Sequence, residues 1–195
     1  MSTLYRLMYL LGFTPWDGVS PVELRDAIEG PTALPPGRAL DVGSGKGAKA
    51  IYMATHGWRV TAVENVHRAV AQARRRAETA NATVDFRLGD VTRLPSLALE
   101  PGYNLVFDFG CFHGLKAVER DAYAQGVTPL AASGAQLLMM AFTRAVPPVP
   151  SGVSEAELLE RFGDSWKLMW SHPDRSAGTS AMNRAGASWF CLSRR

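Results

Sequence analysis

The chain is poor in cysteine, with two among 195 residues, Cys111 and Cys191. A disulfide-stapled secreted scaffold needs more, so two thiols in separate apolar segments are expected to be buried and reduced, in a cytoplasmic protein. Long apolar runs are missing as well, and nothing approaches the ~20 residues that cross a bilayer. Residues 4–13 are apolar but carry Arg6, lack a preceding basic cluster and run into Thr14-Pro15-Trp16, so a signal peptide is not expected. Leu4, Leu7, Met8 and Leu11 fall instead on one stripe of an amphipathic helix. A charge surplus is also lacking: 21 Lys+Arg against 18 Asp+Glu leaves +3, a weak hint of nucleic acid. What is present is 47% hydrophobic and 9% aromatic residues, a globular composition. The length suits one domain with its own core.

The first 37 residues are punctuated by Pro and Gly, with a short helix predicted over 21–29. From Arg38 the pattern alternates. Apolar or β-branched runs at 39–42, 59–63, 84–88, 103–109 and 136–142 read as strands. Helical periodicity fills 66–80, 115–132 and 154–162, and Ser154-Glu155-Ala156-Glu157 has the form of a capping box. Two late strands, 166–171 and 188–193, close the series. Strand and helix in alternation make an α/β, Rossmann-like, doubly wound sheet. We therefore expect a single domain, a core over 38–195 with residues 1–37 as a helical lid.

The central signal is Asp41-Val42-Gly43-Ser44-Gly45-Lys46-Gly47-Ala48 between the first strand and a helix. A phosphate loop fails here, because the second glycine it requires would fall on Ala48. A dinucleotide fingerprint fits if Ala48 is its last element, and Glu64 follows at about the spacing of a ribose-binding acid. That leaves an NAD(P) oxidoreductase open. Two acids favour another cofactor. Asp41, just before the first glycine, would oppose a pyrophosphate but can hold an ammonium. Asp90, in Gly89-Asp90-Val91, can accept from an exocyclic amine while Val91 packs against its ring. S-adenosylmethionine carries an ammonium and an adenine and has no phosphate. Each acid has a plainer reading: a helix cap for Asp41, a solvated strand end for Glu64, a turn residue for Asp90.

Asp41 to Gly47, Glu64, Gly89-Asp90 and Asp108-Phe109-Gly110 together resemble the successive motifs of class I S-adenosylmethionine-dependent methyltransferases. The resemblance implies a mostly parallel seven-stranded sheet with an antiparallel last strand. It assigns the cofactor to Trp16, Asp41, Gly43, Ser44, Gly45, Glu64, Asn65, Asp90, Val91, Asp108 and Phe109, with S-adenosylhomocysteine as product. Lys46, unusual within the loop, should face solvent or begin the helix.

Methyl transfer from a sulfonium is an in-line displacement, so the protein chiefly positions the reactants and excludes water. The acceptor site is sought at Phe107-Asp108-Phe109-Gly110-Cys111-Phe112-His113. No prolines stand there, as base-modifying enzymes require. Cys111 follows glycine rather than proline, and Asp108 has no carboxylate partners for a metal. What remains is an apolar, aromatic pocket walled by Phe109, Phe112 and His113 and closed by the N-terminal helix and Trp16, and no metal is expected. The N-terminal Leu4-Tyr5-Arg6-Leu7-Met8-Tyr9, the stretch Gly12 to Gly18, Phe109 to Leu115 with Arg120 and Tyr123, and Pro150 to Ser154 are similar to heterocyclic toxin methyltransferases. Thiopurine and tellurite-resistance methyltransferases look like more distant relatives. The likeness implies methylation of a hydroxyl, nitrogen or sulfur on a small aromatic heterocycle such as a hydroxyquinolone, as detoxification. Tyr5, Phe112, His113, Val149 and His172 are the expected substrate contacts. His113 is the candidate general base, or an orienting residue. An RNA methyltransferase rests only on the basic balance and Arg74-Arg75-Arg76, which reads most simply as a solvated helix face. No nucleic-acid or membrane partner is expected, and the protein should be a monomer or weak homodimer.

Overall fold

A computed structural model describes residues 17–18, 21–145, 149, 151–175 and 185–195. The helix expected over 4–11, Tyr5 and Trp16 lie outside the described residues. Among the described residues no helix is long and apolar enough to cross a membrane.

Seven strands form one sheet: β1 (Arg38–Val42), β2 (Arg59–Glu64), β3 (Val84–Leu88), β4 (Tyr103–Phe109), β5 (Ala131–Phe142), β6 (Trp166–Pro173) and β7 (Ala187–Arg194). Their spatial order is β3-β2-β1-β4-β5-β7-β6. Pairs among β1 to β5 are parallel, whereas β7 enters antiparallel between β5 and β6. The Rossmann-like sheet with its reversed last strand is thus present. Central strands read as unbroken apolar runs because both faces are covered. Ala39, Leu105 and Phe107 enter one core, while Leu40, Val42 and Val106 enter the other.

Helices α1 (Val22–Glu29), α2 (Ala48–Thr55), α3 (His67–Thr79), α4 (Ala117–Val127) and α5 (Glu155–Phe162) complete the layers. The stripe Ala69, Val70, Ala73, Ala77 on α3 is buried, as its period requires. Its arginines do more than face water. Arg74 donates to the carbonyl of Phe86 at 3.0 Å, and Arg76 pairs with Asp17 at 2.8 Å.

The helix predicted over 115–132 is shorter. It stops at Val127, a 3₁₀ turn takes Thr128–Leu130, and β5 starts at Ala131. Pro129 has no N–H to continue the ladder, so the turn ends where the sequence must bend into the sheet. At α5, Ser154 Oγ accepts the N–H of Glu157 at 3.1 Å, as the capping pattern predicts. The Glu157 carboxylate does not return to the cap. It goes to Arg120 at 2.8 Å and Arg161 at 3.0 Å.

Candidate functional site

The carboxyl ends of β1, β2 and β4 meet at one edge, where doubly wound sheets bind ligands. The chain leaves β1 through Gly43, whose N–H donates to the Val63 carbonyl at 2.9 Å. Gly43 has φ +73°, and a Cβ there would lie 2.7 Å from the Cβ of Cys111. Only glycine lets the exits of β1 and β4 pass this closely.

Glu64 ends β2 and ties that loop down. Its Oε2 accepts the Gly45 N–H at 2.9 Å and its Oε1 accepts the Val66 N–H at 2.8 Å. Burial raises its pKa, opposed by the backbone N–H groups of Val66, Gly45 and Asn65. Asp41, at 2% exposure, is pushed up to about 7 by burial, against the pull of Lys49 and with further push from Asp108 and Glu64. Among the described residues, Asp41 Oδ2, Ser44 Oγ and Asn65 Oδ1 are buried without a hydrogen-bond partner. Three orphaned polar atoms on one sheet edge are unusual, since buried polar groups are normally satisfied. They fit a polar ligand with donors to offer.

Lys49, on α2, was not singled out by its sequence context. It is buried beside Asp41, donates to the Asp17 carbonyl at 3.3 Å and stands 4.7 Å from the Phe109 ring centroid. Asp17 is gripped from the other side by Arg76 at 2.8 Å and Lys46 at 4.0 Å. Lys46 therefore does not face solvent as expected: the carboxylate of Asp17 draws it against the segment that precedes α1, leaving its side chain 12% exposed.

Several expected contacts differ. Asp108, placed on the cofactor by resemblance, is fully buried and faces its own loop. Its Oδ1 accepts the Cys111 N–H at 2.7 Å and its Oδ2 the Phe112 N–H at 3.1 Å. Burial, opposed by those bonds, still raises its pKa to about 7. Asp90 Oδ1 accepts both the N–H and hydroxyl of Thr92, at 2.9 and 2.8 Å, so this oxygen caps the following turn. Burial pushes its pKa up, but the Thr92 bonds outweigh that and leave it lowered. Val91 beside it is buried.

Phe112, expected to face the substrate, points into the core. The 3₁₀ turn after Gly110 carries it between Tyr123 and Phe162, with ring centroids 5.2 and 6.0 Å away. His113 is 2% exposed and stacks on Phe142 at 4.3 Å. Its Nδ1 accepts the Phe142 N–H at 3.2 Å, which leaves the proton of the neutral ring on Nε2. Burial, aided by Arg120, drives its pKa down to about 3. A ring whose accepting nitrogen is occupied and whose charged form is so disfavoured is no proton acceptor at neutral pH.

Val149 is buried. His172 lies two strands beyond β5, on a register row running Phe109, Met140, Trp189, His172. It stacks on Trp170 at 4.9 Å, with Nδ1 4.0 Å from Glu23. Of the expected aromatic wall, Phe109 stays at the edge, half-buried, 5.9 Å from Trp189.

Arg120 holds this architecture together. At 1% exposure it donates to the carbonyls of Leu115, His113 and Ser151 at 3.1, 3.1 and 2.9 Å, and pairs with Glu157. One guanidinium thus joins the loop after β4 to the segment before α5.

A family model described as a methyltransferase domain matches residues 39–134, the stretch that contains the glycine loop, Glu64, Asp90 and Asp108. Residues 39–134 thus carry a methyltransferase domain of the class I S-adenosylmethionine-dependent type. Its cofactor is S-adenosylmethionine, whose ammonium and hydroxyl donors suit the orphaned oxygens of Asp41, Ser44 and Asn65. A 2-heptyl-1-hydroxyquinolin-4(1H)-one methyltransferase of Mycobacteroides abscessus is 28% identical over 137 residues, covering 68% of this chain and 60% of that protein. Among solved structures, 1,6-didemethyltoxoflavin-N1-methyltransferase of Burkholderia thailandensis, with its substrate and S-adenosylhomocysteine bound, has 20% identity and a TM-score of 0.75 over 98% of this chain and 86% of that one. A structure described for the conversion of a disulfide bond into a thioacetal group during echinomycin biosynthesis gives 0.77 at 19% identity, over 100% of this chain and 93% of that one. At these identities the two structures bear on the fold of the methyltransferase alone.

Proposed function

We propose that this methyltransferase transfers the methyl group of S-adenosylmethionine to a hydroxyl, nitrogen or sulfur of a small aromatic heterocycle, with a hydroxyquinolone as the model acceptor and detoxification as the purpose. The observation that carries this reading is Phe109. It places a half-buried aromatic face at the end of β4, beside the buried acids of the cofactor edge. A flat heterocycle stacked there would lie next to the methyl donor. The relative that methylates a hydroxyquinolone supports the same acceptor class.

In this reading Glu64 holds the ribose hydroxyls, Asp41 the ammonium, and Asp90 with Val91 the adenine. The sulfonium supplies an activated methyl and a neutral leaving group, so chain residues need only align and enclose the reactants. Tyr5, Trp16 and the rest of residues 1–37 serve as the lid. His113 acts as a positioning residue, because its occupied Nδ1 and depressed pKa oppose a base role. We further propose that the protein acts in the cytoplasm as a monomer or weak homodimer.

The test is label transfer from methyl-labelled S-adenosylmethionine to a panel of hydroxyquinolines, hydroxyquinolones and thiols, followed by mass analysis of the products. Methylated heterocycle is the expected outcome. Transfer to RNA and to none of the panel would overturn the reading.

A further inference from the structure

Among the described residues two cations lie buried, Lys49 and Arg120. Arg120 is committed to Glu157 and to backbone carbonyls on the α4 side of the sheet. Lys49 is therefore the buried cation of the cofactor edge, where three acids, Asp41, Glu64 and Asp108, end their strands. Ionised together, these acids would crowd negative charge onto one edge, and the charges of Glu64 and Asp108 already disfavour ionised Asp41. Such an edge welcomes an ammonium and repels a carboxylate. S-adenosylmethionine brings both on one carbon.

We infer that Lys49 binds the α-carboxylate of the cofactor while Asp41 takes its α-ammonium, so that the pair recognises the amino-acid end as a zwitterion. The inference rests on the cofactor being S-adenosylmethionine. Three observations carry it. Asp41 Oδ2 is buried without a partner among the described residues. Lys49 is near enough to Asp41 for each to shift the other's protonation. The Lys49 ammonium is also held by the Asp17 carbonyl and stands over the Phe109 ring, which orients it at the cofactor edge rather than toward solvent. A lysine serving only as counter-ion to Asp41 would stabilise the apo protein but would not distinguish ligands by their carboxylate.

The test is a cycle between protein and ligand, read by calorimetry. S-adenosylhomocysteine and its decarboxylated analogue are each titrated into the wild-type protein and Lys49→Met. Loss of the ligand carboxylate should weaken wild-type binding on the order of 10- to 100-fold, as for a hydrogen bond between charged groups. In Lys49→Met the same loss should change affinity less than about twofold, and Lys49→Arg should restore part of the discrimination. Should the Met variant fail to fold, Lys49→Gln takes its place, with thermal melts confirming the fold. Equal carboxylate sensitivity in wild type and variant would overturn the inference, as would its absence in both. Failure of the wild-type protein to bind either ligand would instead strike the cofactor assignment.

Discussion

The Gly45 N–H points into the Glu64 carboxylate at 2.9 Å, so one side chain ending β2 governs the shape of the loop that follows β1. The other oxygen does the same for Val66. Replacing Glu64 by Ala leaves two buried donors unmatched and removes the proposed ribose acceptor. Each charge-assisted bond is worth roughly 1.5–3 kcal/mol. The affinity of Glu64→Ala for S-adenosylhomocysteine should fall more than about 100-fold by calorimetry. Unchanged affinity would mean that the acid is only a loop brace.

Asp41 makes cofactor binding depend on pH. Its pKa is raised to about 7, so in the free protein the carboxyl is largely neutral below pH 7 and ionised above it. Ammonium binding requires the ionised form. Affinity should therefore rise with pH, by at most about tenfold per unit below 7, and level off above it. In Asp41→Asn that dependence should vanish. The same raised pKa acts on the apo protein in the opposite sense: its fold is favoured while Asp41 is protonated, and that contribution is lost as pH climbs from about 4 to about 7. Melting temperatures with and without S-adenosylhomocysteine across this window should diverge with rising pH.

His113 yields a contrary slope. Its folded pKa of about 3 lies below the usual 6.5, so its contribution to stability is present above pH 6.5 and is lost as pH falls toward 3. Substitution by Asn, whose side-chain oxygen can take the Phe142 N–H, should remove that acid sensitivity and preserve most activity. A residue acting as base would instead show a rate limb near pH 6.5 that His113→Asn abolishes together with kcat.

Removing the guanidinium of Arg120 should be severe. Arg120→Met leaves Glu157 to Arg161 alone and strands the carbonyls of Leu115, His113 and Ser151, and losing one member of a buried pair typically costs about 3–5 kcal/mol. Urea denaturation measures it. Arg120→Lys should recover little, since an ammonium cannot reproduce the planar fork.

These sites differ in how far the chain announces them. Asp41, the three glycines and Glu64 stand at strand ends whose β-branched runs are plain to read, and the sheet brings them together. Lys49 is different. In Ala-Lys-Ala-Ile-Tyr-Met-Ala-Thr it looks like a solvated helix position. It is buried because Asp41 of β1, the Phe109 ring at the end of β4 and the chain at Asp17 converge on it, a meeting that no local pattern encodes. Phe112 shows the converse. Its neighbour Phe109 stays at the edge, but Gly110, with φ +87°, turns the chain so that the Phe112 ring two residues on faces the opposite core. Residues 115–132 misled because Ala-rich sequence is compatible with both helix and strand until Pro129 forces the break.

The position of β7 also sets an order of events during synthesis. It is the last strand in sequence yet pairs with β5 along seven residues, from Gln136 opposite Ser193 to Phe142 opposite Ala187. Until β7 leaves the ribosome, β5 and β6 have no shared neighbour, and β5 presents an open, apolar strand edge to solvent. The nascent chain thus carries a sticky surface from the completion of β5 until β7 emerges, and a stop codon placed between Phe142 and Ala187 should yield inclusion bodies instead of a smaller enzyme.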